Sequence, residues 1–321
     1  METPQPSHEP AKTAAKTMLL KDVLQKTTLF FRDKGVEPAR LETELLLAHG
    51  LGWNRVKLYL NYEYELSEEE LTKCRELVRR RSFGEPVAYI LGAKDFYKHT
   101  FKVTSDVLIP RPETESIVEE AVAWSLKQDY SLIRVVDIGS GSGCIGLSIL
   151  AEVSTAHLVS IDLSEKALAI TLENAEALGV ADRTKVIAQD AAAVAYKQVA
   201  AKFTELDSEN EFDGADVVVA NPPYISKTDP EVQESVKKYE PHMALFSDDE
   251  GFAHIKAWAL TAAKVARAGA FVMFEIGHEQ GAKAKKIFEE TGFFEGVEIV
   301  RDLAGLERFV RCTARGEKSN G

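Results

Sequence analysis

Asn221-Pro222-Pro223-Tyr224 is the segment whose residue types point most directly at chemistry. It follows Asp216-Val217-Val218-Val219-Ala220, an apolar run with the composition of a buried strand. Neither proline has an N–H to donate, so a strand ladder must end here. The segment is either a rigid turn and nothing more, or a pair of fixed acceptors. Those acceptors would be the Asn221 side-chain carbonyl and the Pro222 backbone carbonyl. They suit a planar amide-type nitrogen, whose lone pair is delocalised and whose proton no ordinary base removes first. Accepting both N–H bonds would hold the lone pair towards an electrophilic methyl group, with Tyr224 packed on the flat group. Catalysis would then be orientation plus hydrogen bonding matched to the transition state.

A second constellation lies upstream. Val135-Val136-Asp137-Ile138 runs into Gly139-Ser140-Gly141-Ser142-Gly143, and a helix follows from Ile145. Glycines let the backbone approach a ligand closely, and the helix start offers free N–H groups. Gly141, Gly143 and Gly146 also satisfy the dinucleotide pattern GxGxxG, and Asp162 follows about 20 residues later as that fingerprint requires. A nicotinamide-dependent dehydrogenase is therefore a rival on this segment alone. Asp162 could accept from ribose hydroxyls in either case, or cap the helix that starts at Glu165. Two positions favour S-adenosylmethionine: Asp137, two residues before the first glycine, and Asp190, placed where a residue near the adenine is expected.

These segments need a scaffold that brings strand ends together. From Arg134 onward, strand-like runs alternate with helices. The expected strands are Arg134–Ile138, His157–Ile161, Lys185–Ala188, Asp216–Ala220, Ala270–Ile276, Gly296–Val300 and Glu307–Thr313. The expected helices are Ile145–Glu152, Glu165–Leu178, Ala253–Ala266 and Glu279–Thr291. Such alternation calls for an α/β fold, a largely parallel sheet covered by helices on both faces. The last two strands, with no clear helix between them, read as an antiparallel hairpin at the sheet edge. Thr204–Asp213 reads as an acidic surface loop. Upstream, 18–92 has helical spacing throughout. Ser67 and Glu70 form a capping box, and Arg79, Arg80 and Arg81 close that helix at the negative end of its dipole before Gly84. Between the two regions, Phe96–Val103 alternates as a strand, Val107–Ile109 reads as a second short one, and Glu113–Lys127 as a helix.

Asn221–Tyr224 together with Asp137–Gly143 resembles methyltransferases that act on planar nitrogen, whether of adenine, cytosine or glutamine. Gly84–Gly92, Phe96–Val103, Ile109-Pro110-Arg111-Pro112-Glu113-Thr114-Glu115, Tyr239-Glu240-Pro241 and Glu275-Ile276-Gly277 narrow the likeness to the peptide-chain release factor glutamine N5-methyltransferases, over roughly 18–313. Composition makes 1–17 a disordered tail, and the resemblance implies a helical substrate-docking domain at 18–92. A β-hairpin linker at 93–112 and a Rossmann-like S-adenosylmethionine methyltransferase domain at 113–321 would follow. It implies methyl transfer from S-adenosylmethionine, with S-adenosylhomocysteine as product, to the glutamine of the Gly-Gly-Gln loop in class I release factors. Carried over by position, Asp137, Gly139, Ser140, Gly141, Ser142, Gly143, Asp162, Asp190, Ala191 and Asn221 would bind the cofactor. Asn221, Pro222, Pro223 and Tyr224 would hold the glutamine and carry catalysis, with Arg111 and Glu113 shaping the site. One departure is visible: relatives often carry an aromatic residue just after the Asp190 position, where this chain has Ala191 and Ala192.

Composition narrows the partners. The chain has 321 residues and a net charge of −12. Residues 1–92 balance at 14 basic and 14 acidic, so the body at 93–321, with 25 basic and 37 acidic, carries the whole excess. An acidic body is poorly suited to neutralising phosphates, which counts against a nucleic-acid amino-methyltransferase. No apolar run is long enough to span a bilayer, and the first 16 residues lack the apolar core of a signal peptide. Cys74, Cys144 and Cys312 are too few and too scattered for a disulfide framework or a metal site. A cytoplasmic monomer whose partner is a release factor, without DNA, membrane or metal, is the expectation.

Overall fold

The computed structural model describes residues 18–230 and 232–315, so the tail expected at 1–17 lies outside the described residues. The chain forms two compact units, one ending at Leu91 and one beginning at Gly92.

The first unit is helical: α1 (Leu20–Asp33), α2 (Ala39–Leu51), α3 (Arg55–Leu60), α4 (Glu68–Ser82) and α5 (Val87–Leu91). Leu20, Leu24, Leu47, Leu58, Leu66 and Leu71 make one core, and Phe31, Leu46 and Ile90 centre another. The capping box forms as expected, with the Glu70 amide on Ser67 Oγ and the Ser67 amide on Glu70 Oε2. The three arginines ending α4 do more than oppose its dipole. Arg79, Arg80 and Arg81 pair with Glu76, Glu85 and Glu42. Glu44, the buried carboxylate of this unit, is satisfied by Arg40, by Arg55 at 2.7 Å and by the Tyr59 hydroxyl at 2.6 Å.

The second unit opens with a hairpin, β1 (Ala93–Phe96) and β2 (His99–Lys102). Phe96–Val103 is thus not one strand. It is folded at Tyr97, whose φ of 55° makes the turn. Nor is Val107–Ile109 a strand: the Ile109 amide donates to Glu240 Oε2 at 3.2 Å instead of to a neighbouring strand. Phe96 and Phe101 are buried with α6 (Glu115–Ser125).

Then come β3 (Ile133–Ile138), α7 (Cys144–Glu152), β4 (Ala156–Asp162), α8 (Glu165–Ala177), β5 (Thr184–Ala188), α9 (Tyr196–Leu206) and β6 (Ala215–Ala220). The rest is α10 (Glu234–Tyr239), α11 (His242–Leu245), α12 (Ala253–Val265), β7 (Ala266–Glu275), α13 (Gly281–Glu290), β8 (Phe294–Arg301) and β9 (Glu307–Ala314). Sheet order is β8-β9-β7-β6-β3-β4-β5, parallel except for β9, which is antiparallel to both β7 and β8. This is the expected α/β architecture with its edge hairpin. One face is covered by α9, α12 and α13, the other by α6 and α7. Burial on both faces explains the consecutive valines of β3 and β6, Val135-Val136 and Val217-Val218-Val219. Thr204–Asp213 departs from the expected loop. α9 runs on to Leu206, and Phe212 is buried, stacked on Phe203 at 5.0 Å.

Strand order reverses between β3 and β6, and ligands of open α/β sheets bind outside the carboxyl ends at such a switch point. Register does the placing. Ile138 pairs with both Ile161 and Ala220, and Asp162 pairs with Ala188. The turns starting at Gly139, Asp162 and Asn221 therefore leave the sheet at one level.

Candidate active site

Two cavities open at that edge. The larger, about 760 Å³, is walled by Gly139–Ser142, Asp162, Asp190, Ala191, Asn221, Pro223 and Trp258. The smaller, about 360 Å³, is walled by Pro222, Tyr224, Val232, Val236 and Leu245. Asn221 and Arg111 line both.

The glycine turn is held in a left-handed conformation, with φ of 72°, 56° and 79° at Gly139, Gly141 and Gly143. A Cβ at Gly139 would sit 2.3 Å from the Trp258 ring, so glycine is required there for packing as well. A Cβ at Gly141 would meet nothing within 4 Å. That opening lets a ligand approach the backbone. Asp162 ties the turn to β4, accepting from the Gly141 amide at 2.9 Å and from the Ser164 amide at 2.9 Å. It is not the cap of α8; Ser164 is, taking the Ala167 amide on Oγ. Burial raises the proton affinity of Asp162, against the opposing amides of Ser164, Gly141 and Leu163.

Asp137 lies behind the turn and lines neither cavity. Its Oδ2 accepts from the Gly146 amide at 3.0 Å, pinning the start of α7 to β3. Burial pushes its pKa up to about 7, partly offset by that amide and reinforced by the nearby charge of Asp162. Gly143 lines neither cavity, nor does Glu113, which is exposed. Asp190 takes the Ala192 amide at 2.9 Å and so shapes the turn that presents Ala191. The cavity's aromatic side chains include Trp258 from α12 and Phe246 just after α11, and none comes from the position after Asp190, which is Ala191. The sequence offered no cue for this, because Trp258 is one apolar residue among many on a helix.

On the catalytic side, four recognised segments converge. Arg111 pairs with the buried Glu240 at 2.6 Å. Thr114 donates to Glu275 Oε2 at 2.5 Å, Tyr224 donates to Glu275 Oε1 at 3.0 Å, and Asn221 Nδ2 donates to Thr114 Oγ1 at 3.3 Å. Burial raises the proton affinity of Glu275, opposed by the Thr114 and Tyr224 hydroxyls and by Arg308. Burial, then the Glu275 charge, raises the Tyr224 pKa, so its phenol stays protonated. The Tyr224 carbonyl is fixed in turn by Gln280 Nε2 at 2.9 Å. Asn221, Pro222, Pro223 and Tyr224 are thus held on both sides. With Nδ2 on Thr114, the acceptor Oδ1 is the end of Asn221 left to the cavities. The sequence flagged the segments carrying Thr114, Glu240 and Glu275 but gave them no role, since their contacts span more than 100 residues.

Comparison with known proteins locates both units. Residues 22–92 match the family model described as the PrmC N-terminal domain, and 129–292 match a methyltransferase domain. A release factor glutamine methyltransferase of Chlorobaculum tepidum is 34% identical over 299 residues, 92% of this chain and 97% of that protein. The protein of the same name from Geobacter sulfurreducens is 37% identical over 292 residues, 91% and 95% of the two chains. A solved protein-(glutamine-N5) methyltransferase from Alicyclobacillus acidocaldarius is 26% identical, covering 67% of this chain and 99% of that one, with a TM-score of 0.37. Among the described residues, no helix is long and apolar enough to cross a membrane.

Proposed function

The chain belongs to the release factor glutamine methyltransferase family, and on that premise we propose that it methylates the side-chain amide nitrogen of the glutamine in the Gly-Gly-Gln loop of class I release factors. The observation that carries this is the position of Asn221, on the wall common to both cavities and one residue beyond the Ile138–Ala220 pair.

The larger cavity suits S-adenosylmethionine. Its volume is that of a small-molecule site, Gly141 leaves room where a Cβ would project, and the Asp162 carboxylate has lone pairs left for ribose hydroxyls. Gly139 to Ser142, Asp162 and Ala191 would hold the cofactor. When bound, it supplies an electrophilic methyl on a sulfonium. The smaller cavity takes the glutamine side chain, its stem along Val232, Val236 and Leu245. Asn221 Oδ1 and the Pro222 carbonyl accept the two amide N–H bonds and turn the lone pair towards the larger cavity. As the new N–C bond forms and the methyl's C–S bond breaks, its electron pair leaving on the sulfur of S-adenosylhomocysteine, the positive charge growing on nitrogen strengthens both hydrogen bonds, so they stabilise the transition state more than the ground state. The nitrogen then sheds one proton to solvent.

The helical unit would dock the release factor. Leu29 and Phe30 on α1 and Val56 and Leu60 on α3 are exposed apolar side chains of the kind a protein surface covers. The body's negative charge disfavours DNA, and we take the enzyme to act as a monomer. Incubation with labelled S-adenosylmethionine and either a class I release factor or duplex DNA tests the choice: label is expected on the factor, and label on DNA would refute it.

Cofactor binding has its own test. Asp162→Ala removes an acceptor for the ribose and the tie on Gly141. A lost hydrogen bond to a charged group is worth about 1.5–3 kcal/mol, so the dissociation constant should rise about ten- to a hundredfold. Calorimetry measures it. Because Ser164 still caps α8, an unchanged affinity with a lower melting temperature would reduce Asp162 to a structural role.

A further inference from the structure

We propose that Glu275, acting through Thr114, sets which end of the Asn221 amide faces the substrate, and so makes the site select a glutamine over a glutamate. The proposal rests on Asn221 Oδ1 being the acceptor for the substrate N–H. The oxygen and nitrogen of an asparagine amide are nearly the same size, so packing does not choose between its two orientations; hydrogen bonding does.

The choice is made by a directed chain. Glu275 and Thr114 are 1% and 2% exposed, Glu275 lining neither cavity and Thr114 reaching the wall of the larger one. The Thr114 and Tyr224 hydroxyls aimed at it, with Arg308 nearby, favour the ionised form of Glu275 against the burial that raises its proton affinity, and as a carboxylate it has no proton to give and can only accept. Thr114 has one proton, and it goes to the charged acceptor at 2.5 Å, the shorter of its two contacts. What Thr114 keeps is a lone pair. The end of Asn221 that meets it must therefore be a donor, and Nδ2 does so at 3.3 Å. Tyr224 gives its proton to the other Glu275 oxygen at 3.0 Å, so both oxygens are committed as acceptors. Glu275 lines neither cavity, and its influence on substrate passes through Thr114. It is a positioning residue. Without it, the Thr114 hydroxyl is free to donate to Asn221 Oδ1, which withdraws the acceptor and turns Nδ2 to the cavities. A glutamate side chain, an acceptor only, would then be received better and a glutamine worse.

The test compares wild type with Asn221→Ala, Thr114→Val, Thr114→Ser and Glu275→Met. It measures single-turnover transfer to the release factor, affinity for S-adenosylmethionine, and inhibition by a factor whose Gly-Gly-Gln glutamine is changed to glutamate. Thr114→Val and Glu275→Met should slow transfer about tenfold or more, and Glu275→Met, at a residue lining neither cavity, should keep cofactor affinity within about twofold of wild type. The glutamate factor should inhibit these two variants severalfold better than it inhibits wild type. Thr114→Ser keeps the hydroxyl and should recover most of the rate, which separates polarity from loss of packing. If Asn221→Ala transfers as fast as wild type, the role given to Asn221 is wrong. If Asn221→Ala is slow but Thr114→Val matches Thr114→Ser in rate, or the glutamate factor inhibits all variants alike, Glu275 and Thr114 do not set the amide and the proposal fails.

Discussion

Asn221→Ala should lower single-turnover methyl transfer about a hundredfold or more while leaving the dissociation constant for S-adenosylmethionine within a fewfold of wild type. The two effects separate because Asn221 does different things for the two ligands. In the cavity proposed for the cofactor it is one wall residue among many, beside Gly139 to Ser142 and Asp162, which are proposed to hold the ligand. On the proposed mechanism it is one of two acceptors for the substrate amide, and its bond tightens as charge grows on nitrogen. A hundredfold corresponds to about 2.7 kcal/mol in the barrier, within the range for one transition-state hydrogen-bond partner. Alanine leaves the Thr114 hydroxyl on Glu275 unchanged, so the rest of the network has no reason to collapse. Single-turnover kinetics and calorimetry decide it. Transfer within a fewfold of wild type would remove Asn221 from the catalytic machinery.

The second large effect is on stability. At Gly139, alanine meets two penalties at once. Its φ of 72° costs a residue with a Cβ about 1–2 kcal/mol. The new carbon would also lie 2.3 Å from Cη2 and 2.6 Å from Cζ3 of Trp258, a buried ring packed among the core residues of that face, for about 1–3 kcal/mol more. Gly139→Ala should therefore lose about 2–5 kcal/mol and about 4–20 °C in melting temperature. Gly141→Ala is the matched contrast. Its backbone is also left-handed, at 56°, but nothing lies within 4 Å of the added carbon. It should lose only the left-handed penalty of about 1–2 kcal/mol, about 2–8 °C, yet bind the cofactor poorly, because the methyl projects into the cavity. Thermal melts of the two variants check both statements; equal melting would mean that Trp258 does not pack on the turn.

The strands carrying the site were legible at Arg134–Ile138 and Asp216–Ala220 because β3 and β6 are buried on both faces and so show apolar pairs and triplets, Val135-Val136 and Val217-Val218-Val219, each strand followed by a glycine or proline signal. Their loops were legible for the same reason. α9 was missed although Tyr196, Val199, Ala200 and Phe203 recur at helical spacing, because the acidic residues after Thr204 outweighed that pattern. The hairpin was misplaced because a turn at Tyr97-Lys98 carries neither glycine nor asparagine to mark it. Asp137 was expected at the ligand and instead braces Gly146; its acidic character was visible, but the direction it faces depends on β3 packing under α7. Glu275 and Thr114 sat in recognisable motifs 161 residues apart. Only the sheet order, which brings β7 beside β6, makes them neighbours of Asn221.

The most direct test of the central claim is the position of the transferred methyl. A class I release factor incubated with the enzyme and S-adenosylmethionine would be digested and its peptides fragmented in a mass spectrometer. One methyl group is expected on the side-chain amide nitrogen of the Gly-Gly-Gln glutamine, and none on a factor in which that glutamine is alanine. A methyl on any other residue, or undiminished labelling of the alanine factor, would contradict the account.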